Sequence, residues 1–244
     1  MKLLDELEKN IILDSRTKQY NLERDTFRII VGTLGALLPF LLWFFSVISN
    51  ATFEPLDSIS HYYYTRVGGV FILIVGLLAF FLIIYKDKEP IDFVVSFFAG
   101  FFALIVLMFP TSNISCQANI DCNNCAVTIL KDVEWRIWLH YISAGLFLGL
   151  LAFMSLFLFT KSNYKTAAKM GIQKRRRNRV YKTCGIIIIL SITVLGVNAI
   201  ASYKGWVSDS FADNINLTFW MEVLALEAFA LSWFTKAEVI LKDK

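Results

Sequence analysis

Six long runs of mostly apolar residues dominate the sequence, and each is long enough to cross a lipid bilayer. A spanning helix needs about 20 such residues. None of the runs alternates polar and apolar residues as barrel strands do, so helices are expected. The sequence predicts an all-α polytopic membrane protein with a bundle of six transmembrane helices, at about residues 29–49, 67–85, 93–109, 137–160, 180–203 and 217–235.

The composition agrees with a membrane protein. The chain is 57% hydrophobic and only 18% charged, which excludes an ordinary cytosolic enzyme. Four basic residues, Arg66, Lys131, Arg136 and Lys204, fall on one predicted side, and the rest of the 24 fall on the other. Because basic loops stay in the cytoplasm, both termini are predicted to be cytoplasmic. We expect a multi-pass protein of the cell membrane, most simply a bacterial inner membrane.

Two segments outside the apolar runs are amphipathic or basic. Residues 1–27 carry Leu3, Leu7 and Ile11 on one helical face, which predicts a cytoplasmic in-plane helix or a segment that binds a partner or a second copy. The basic run Lys174–Arg179 is interpreted as a topology anchor or as a site for anionic lipid. Nucleic acid is not an expected partner, because no groove-reading element surrounds this run.

Three of the four cysteines, Cys116, Cys122 and Cys125, lie in the longest predicted outer loop. An extracytoplasmic loop is oxidising, so one disulfide among the three is expected, with the pairing left open. A redox or metal role for the Cys122–Cys125 spacing is the alternative. Cys184 falls within a predicted helix and is expected to be buried and inert.

Polar side chains gather near the predicted outer ends of the helices. Burying a carboxylate is costly, so Glu222 is expected to pair with His61, Arg136, His140 or Asn198, whereas the deeper Glu227 needs its own partner or a proton. We predict one outward-open pocket for a small molecule or lipid headgroup, and Arg136 would hold an anionic group there. Its candidate residues are His61, Tyr62, Arg136, His140, Asn198 and Glu222.

Two other functions remain open on the sequence alone. A metal-dependent hydrolase could use the two histidines with Asp57 or Glu222, and a Ser/His lipid hydrolase could use Ser58 with His61. An oligomeric pore or membrane effector is the third hypothesis. Neither enzyme arrangement has a specific motif spacing, so no metal and no cofactor is assigned.

Several short motifs resemble a family of uncharacterised bacterial multi-pass membrane proteins, and the chain is broadly similar to the DRAM/Sfk-like six-helix proteins. The resemblance implies the six-helix fold and brings no activity or catalytic residue with it. The matching motifs are Ser58-Ile-Ser-x-Tyr-Tyr-Tyr-Thr65, Phe109-Pro-Thr111, His140-Tyr-x-Ser-Ala144, Arg177-Asn-Arg-Val-Tyr181 and Ser232-Trp-Phe-Thr-Lys236.

Overall fold

The computed structural model describes residues 2–50, 54–87, 89–114, 126–161, 171–206 and 215–242. Within these ranges the regular structure is helical, and a single isolated bridge joins Thr65 to Ala126. A short 3₁₀ helix, Ile59–Tyr64, precedes α2, and a π-helical turn, Met154–Leu158, continues α4. The α-helices are α1 Lys2–Asn50, α2 Gly68–Ile84, α3 Pro90–Met108, α4 Glu134–Phe153, α5 Ile172–Tyr203 and α6 Leu217–Lys236.

Five of the described helices are long and apolar enough to cross a membrane. They are α1, within Leu22–Ser49, then α3, α4 with its π turn, α5 and α6. The apolar helix α2 is shorter, at 17 residues. The prediction of an all-α chain of membrane type is therefore confirmed for the described residues.

The helices form a closed ring in which each packs on the next and α6 returns to α1. Large side chains such as Leu78, Met154, Ile188 and Phe229 are fully buried inside the ring. Many Leu, Ile, Val and Phe side chains project outward from the helix surfaces; Leu73, Phe80 and Val197 expose more than half of their area. A soluble protein rarely leaves so much large apolar surface uncovered, so this exterior suits lipid.

Small residues let neighbouring helices approach closely. A Cβ built on Gly100 of α3 would lie 2.5 Å from the carbonyl oxygen of Ala79 on α2. Gly185 of α5 lies under the Leu156 side chain of the π turn, which leaves no room for a Cβ. Close backbone contact at small residues is a common source of helix association in membranes, where packing replaces the hydrophobic effect.

Two helix starts differ from the prediction, and one short helix was not predicted. Helix α1 runs from Lys2 without a break, so the segment 1–27, predicted as a separate in-plane helix, is continuous with the first apolar run. No Gly or Pro occurs between Lys2 and Val31 to interrupt it. Helix α5 begins at Ile172 rather than near residue 180, because the basic run is itself helical. The 3₁₀ helix was not predicted, although Ser58 caps it through the Ser60 N–H.

Candidate functional site

The two ends of the bundle carry different polar groups. We call one the 3₁₀ end; it contains Ser58–Thr65, Phe109–Thr111 and the start of α4. We call the other the basic end; it contains Tyr85–Asp87, the start of α5 and the end of α6. Of the residues predicted to line a pocket, His61, Tyr62, Arg136, His140 and Glu222 belong to the 3₁₀ end or bond to it.

Glu222 of α6 holds the beginning of the 3₁₀ helix. The Ser58 hydroxyl lies 2.9 and 3.0 Å from its two carboxylate oxygens, and the Ile59 N–H donates to Oε2 at 2.6 Å. The first N–H groups of a helix have no partner within the helix, so a carboxylate satisfies them well. The pairing of Glu222 with His61, Arg136, His140 or Asn198 was wrong: the described partners are Ser58 and Ile59.

His140 of α4 joins the 3₁₀ helix to the end of α3. Its Nδ1 lies 2.9 Å from the Phe109 carbonyl oxygen, and its Nε2 lies 3.1 Å from Ser60 Oγ. A carbonyl can only accept, so Nδ1 carries the proton. In the neutral ring Nε2 then accepts the Ser60 hydroxyl proton. The buried imidazole, 3% exposed, is therefore fully hydrogen-bonded within the protein.

Arg136 is buried at the start of α4 with only part of its guanidinium satisfied. Its Nη2 donates to the Thr111 carbonyl oxygen at 3.3 Å and lies 3.0 Å from Asp132 Oδ1. Tyr64 donates its hydroxyl to the same Thr111 oxygen. The Arg136 residue is 8% exposed, and its Nε is buried without a hydrogen-bond partner. One donor of a buried cation is thus left for another acceptor.

After Arg136 Nε, the second unsatisfied atom in this region belongs to His61, whose Nδ1 is buried without a hydrogen-bond partner. Burial lowers the pKa of His61 from 6.5 to about 4, even though the charge of Asp132 acts in the opposite direction. The imidazole is therefore neutral at pH 7. Asp132 also pairs with Arg136, so His61 and Arg136 share one carboxylate as an electrostatic neighbour.

Tyr62 and Asn198 occupy other positions. Tyr62 is fully buried; its hydroxyl accepts the Leu56 N–H at 3.3 Å, and its ring lies beside that of Phe219. Asn198 is half-buried on α5 and makes no side-chain hydrogen bond with the described residues. Of the six predicted residues, the structure links His61, Tyr62, His140 and Glu222 through the 3₁₀ helix, and it ties Arg136 to them through Thr111.

The enzyme arrangements can also be compared with the structure. The Ser58 hydroxyl is bonded to Glu222, so the predicted side-chain pair of Ser58 with His61 is not formed. The Ser–His hydrogen bond that does exist joins Ser60 to His140. Among the described residues, no group of three or more His, Cys, Asp or Glu could hold a metal ion.

The basic end contains a buried ion-pair cluster that sequence reasoning missed. Asp87 Oδ2 lies 2.7 Å from Arg28 Nη2 and 3.3 Å from Lys236 Nζ, and Arg24 is 3.7 Å from Oδ1. Burial alone would raise the pKa of Asp87, but Lys236, Arg28 and Arg24 lower it to about 2. The sign of this cluster in the sequence is a single acid between Lys86 and Lys88. The positive-inside rule counts the two lysines and leaves the acid out.

The basic run divides between two faces of α5. Arg177 points inward, donating to the Leu241 carbonyl oxygen at 3.0 Å and lying 3.3 Å from Glu238. Lys174 likewise donates to the Phe159 carbonyl oxygen at 3.1 Å. The exposed face carries the remaining basic residues, Arg175, Arg176, Arg179 and Lys182.

Comparisons with protein-family models, with curated proteins and with solved structures give no match for this chain. The resemblance to bacterial multi-pass proteins and to the DRAM/Sfk-like proteins therefore stays a prediction. The disulfide predicted among Cys116, Cys122 and Cys125 lies outside the described residues. Cys184 is a buried free thiol, as expected.

Proposed function

We propose that the chain is a multi-pass membrane protein whose six helices all cross the bilayer, with both termini and the basic end in the cytoplasm. The 3₁₀ end then faces outward and binds the anionic group of a small molecule or a lipid headgroup. The distribution of Lys and Arg supports this orientation, because the outward side would hold only Arg66, Lys131, Arg136 and Lys204. A bacterial inner membrane is the proposed location.

The unsatisfied guanidinium of Arg136 carries the proposal. A buried donor without an acceptor costs about 1–3 kcal/mol, so a bound acceptor would be favoured there. Asp132 neutralises Arg136 from one side only, and Nε remains free. A phosphate or carboxylate offers the acceptor geometry that arginine binds best. The second polar atom that we propose for this ligand is His61 Nδ1, which is also buried without a partner at the 3₁₀ end.

The other predicted residues support the proposed site rather than bind the ligand. The polar atoms of Glu222 bond to the 3₁₀ helix, and those of His140 bond to the 3₁₀ helix and to Phe109. Both residues therefore position His61 and do not contact the ligand. Tyr62 anchors the same helix from within. Asn198 is not included in the proposed site.

A thermal-shift assay on detergent-solubilised protein tests the site with inorganic phosphate, glycerol 3-phosphate and phosphatidylglycerol. We expect the wild type to be stabilised and Arg136→Gln to lose at least tenfold in affinity, since a hydrogen bond to a charged group contributes about 1.5–3 kcal/mol. His61→Asn supplies a milder variant, and Arg66→Gln, an exposed cation on the same side, is the matched control. Stabilisation by phosphate identifies a small anion; stabilisation by the lipid alone identifies a headgroup. No stabilisation, or an equal loss in Arg66→Gln, would refute the site.

A second candidate, a Ser/His lipid hydrolase, is favoured by one observation. Ser60 Oγ lies 3.1 Å from His140 Nε2, the geometry in which an imidazole removes a hydroxyl proton. A fluorophosphonate probe should label Ser60 and fail to label Ser60→Ala or His140→Asn if this pair is catalytic. Unlabelled wild-type protein would exclude the serine hydrolase. The oligomeric pore stays a prediction.

A further inference from the structure

Glu227 places a carboxyl group on the outer surface of the bundle, halfway along α6. The helix runs from Leu217 to Lys236, so at 1.5 Å per residue Glu227 lies roughly 15 Å from either end. Its side chain is exposed, whereas its neighbours Leu226 and Ala228 are buried. If α6 spans the bilayer, this carboxyl meets the middle of the hydrocarbon layer.

No described residue of the same chain satisfies Glu227. It forms no hydrogen bond or ion pair with the described residues, in contrast to Glu222 five positions earlier. Ionisable residues in spanning helices usually face the protein interior or a water-filled cavity, because a charge facing lipid is expensive. A carboxyl in hydrocarbon takes up a proton, and the neutral acid still has one donor and one acceptor to satisfy.

The surroundings of Glu227 form a continuous outward stripe. Trp220, Leu224 and Leu231 expose 51%, 47% and 42% of their surface. Together with Glu227 they recur at intervals of three or four residues, so they share one face of α6. The opposite face is buried against the bundle through Phe219, Phe229 and Trp233.

We propose that a second copy of this chain covers the stripe formed by Trp220, Leu224, Glu227 and Leu231. Two copies inserted in the same orientation and related by a two-fold axis along the membrane normal bring identical residues together at identical depth. A carboxylic acid is self-complementary, because each group donates one hydrogen bond and accepts one. The two Glu227 side chains satisfy each other in such a dimer. A different partner protein would need its own polar group at this depth.

This inference is independent of the anion site, because Glu227 lies on the outside of α6 and Arg136 is buried at the start of α4. Self-association can be measured by energy transfer between donor- and acceptor-labelled full-length protein in phosphatidylcholine vesicles at several protein-to-lipid ratios. Glu227→Gln keeps a self-complementary amide, and Glu227→Leu removes both polar atoms. Leu190→Ala, at an exposed position on α5, is a control away from the stripe.

We expect dimers for the wild type, for Leu190→Ala and, within about threefold, for Glu227→Gln, whose amide pair replaces the acid pair. Glu227→Leu should weaken the dimer by about tenfold, since intramembrane hydrogen bonds contribute about 1–2 kcal/mol in model peptides. All variants should keep the wild-type thermal stability in detergent, because Glu227 makes no described bond within the chain. A monomer at every ratio, or an unchanged dimer for Glu227→Leu, overturns the proposal. If Glu227→Gln dissociates as readily as Glu227→Leu, the acid pair is wrong.

Discussion

The carboxylate of Glu222 accepts the hydroxyl of Ser58, 164 positions away in sequence, at 2.9 Å and the N–H of Ile59, 163 positions away, at 2.6 Å. One acidic side chain thereby fixes α6 to the first turn of the 3₁₀ helix. The other residues of that helix are placed in turn: Ser60 contacts His140, and Tyr64 contacts Thr111. The position of His61 depends on this anchor.

Removing the anchor should destabilise the protein. Glu222→Ala leaves the Ser58 hydroxyl and the Ile59 N–H without an acceptor, so we expect a loss of about 2–4 kcal/mol in the free energy of unfolding. Ser58→Ala should cost about 1–2 kcal/mol, and the double variant less than the sum of the two. Denaturation of the solubilised protein with sodium dodecyl sulfate measures these values. Glu227→Ala on the same helix is the control; an equal effect there would contradict the anchor.

More of the fold than of the candidate site could be predicted from the sequence. The positions of α2, α3 and α6 follow from apolar length alone, because lipid forces long apolar runs into helices. The 3₁₀ helix is a different case. Its six residues have no periodicity, and what holds Ile59–Tyr64 in place is Glu222, His140 and Thr111, all distant in sequence.

Sequence-based prediction also missed the partners of two carboxylates, Glu222 and Asp87. Glu222 was correctly predicted to need a partner. The sequence suggested charged or polar side chains as that partner and gave no indication of a backbone N–H. Asp87 was not predicted as a structural residue, because nothing local in the sequence shows that Arg28 and Lys236 pair with it. Long-range partners of this kind depend on how the helices pack, which the sequence alone does not give.

Asp87 should contribute more to stability than its neighbour Asp25. Asp87→Asn leaves Arg28 and Lys236 facing each other without a buried counter-charge, and we expect a loss of about 3–5 kcal/mol. The side chain of Asp25 also pairs with Arg28, at 2.7 Å, but is 37% exposed. Asp25→Asn should therefore cost no more than about 1 kcal/mol. Unfolding free energies at pH 7 compare the two variants, and similar losses would show that the cluster is not held by Asp87.

Acid should destabilise the 3₁₀ end through His61. Its pKa is about 4 in the folded chain and 6.5 without burial, so the unfolded chain binds the extra proton between these values. The stabilising contribution of neutral His61 is complete above pH 6.5 and is lost as the pH falls towards 4. The neighbouring charges of Asp132 and Arg136 belong to the same environment.

Between pH 6.5 and 5 the contribution of His61, measured as the difference between the wild type and His61→Asn, should fall by about 2 kcal/mol, from 1.36 kcal/mol per pH unit. Thermal unfolding of the solubilised protein at half-unit steps of pH measures this slope, and His61→Asn should flatten it. His140 is also buried, and its Nε2 accepts the Ser60 hydroxyl proton, so protonating it is also unfavourable and His140→Asn should flatten the slope as well. An identical pH dependence in the wild type and in His61→Asn would contradict the neutral, buried His61.

The exposed basic face of α5 should bind anionic lipid, while the inward face of the same run is structural. Arg175, Arg176 and Arg179 make no described ion pair. Along the helix their face continues into Ile186, Ile189 and Leu190, which are 52%, 44% and 60% exposed. In the proposed orientation the cations would lie where the apolar stripe leaves the hydrocarbon, at the level of the headgroups.

Replacing Arg175, Arg176 and Arg179 together with Gln should abolish most of the preference for phosphatidylglycerol over phosphatidylcholine. Each basic residue near an anionic surface contributes about 1 kcal/mol, so the preference should fall by about a hundredfold. The triple variant Arg66→Gln, Lys131→Gln and Lys204→Gln removes the same charge from the other end and should keep the preference. Native mass spectrometry of lipid retained by the purified protein gives the ratio.

Replacing the three arginines with Lys should restore most of the preference, because electrostatic attraction needs only the charge. Equal losses in the two Gln triples would mean that net charge, not the face of α5, selects the lipid.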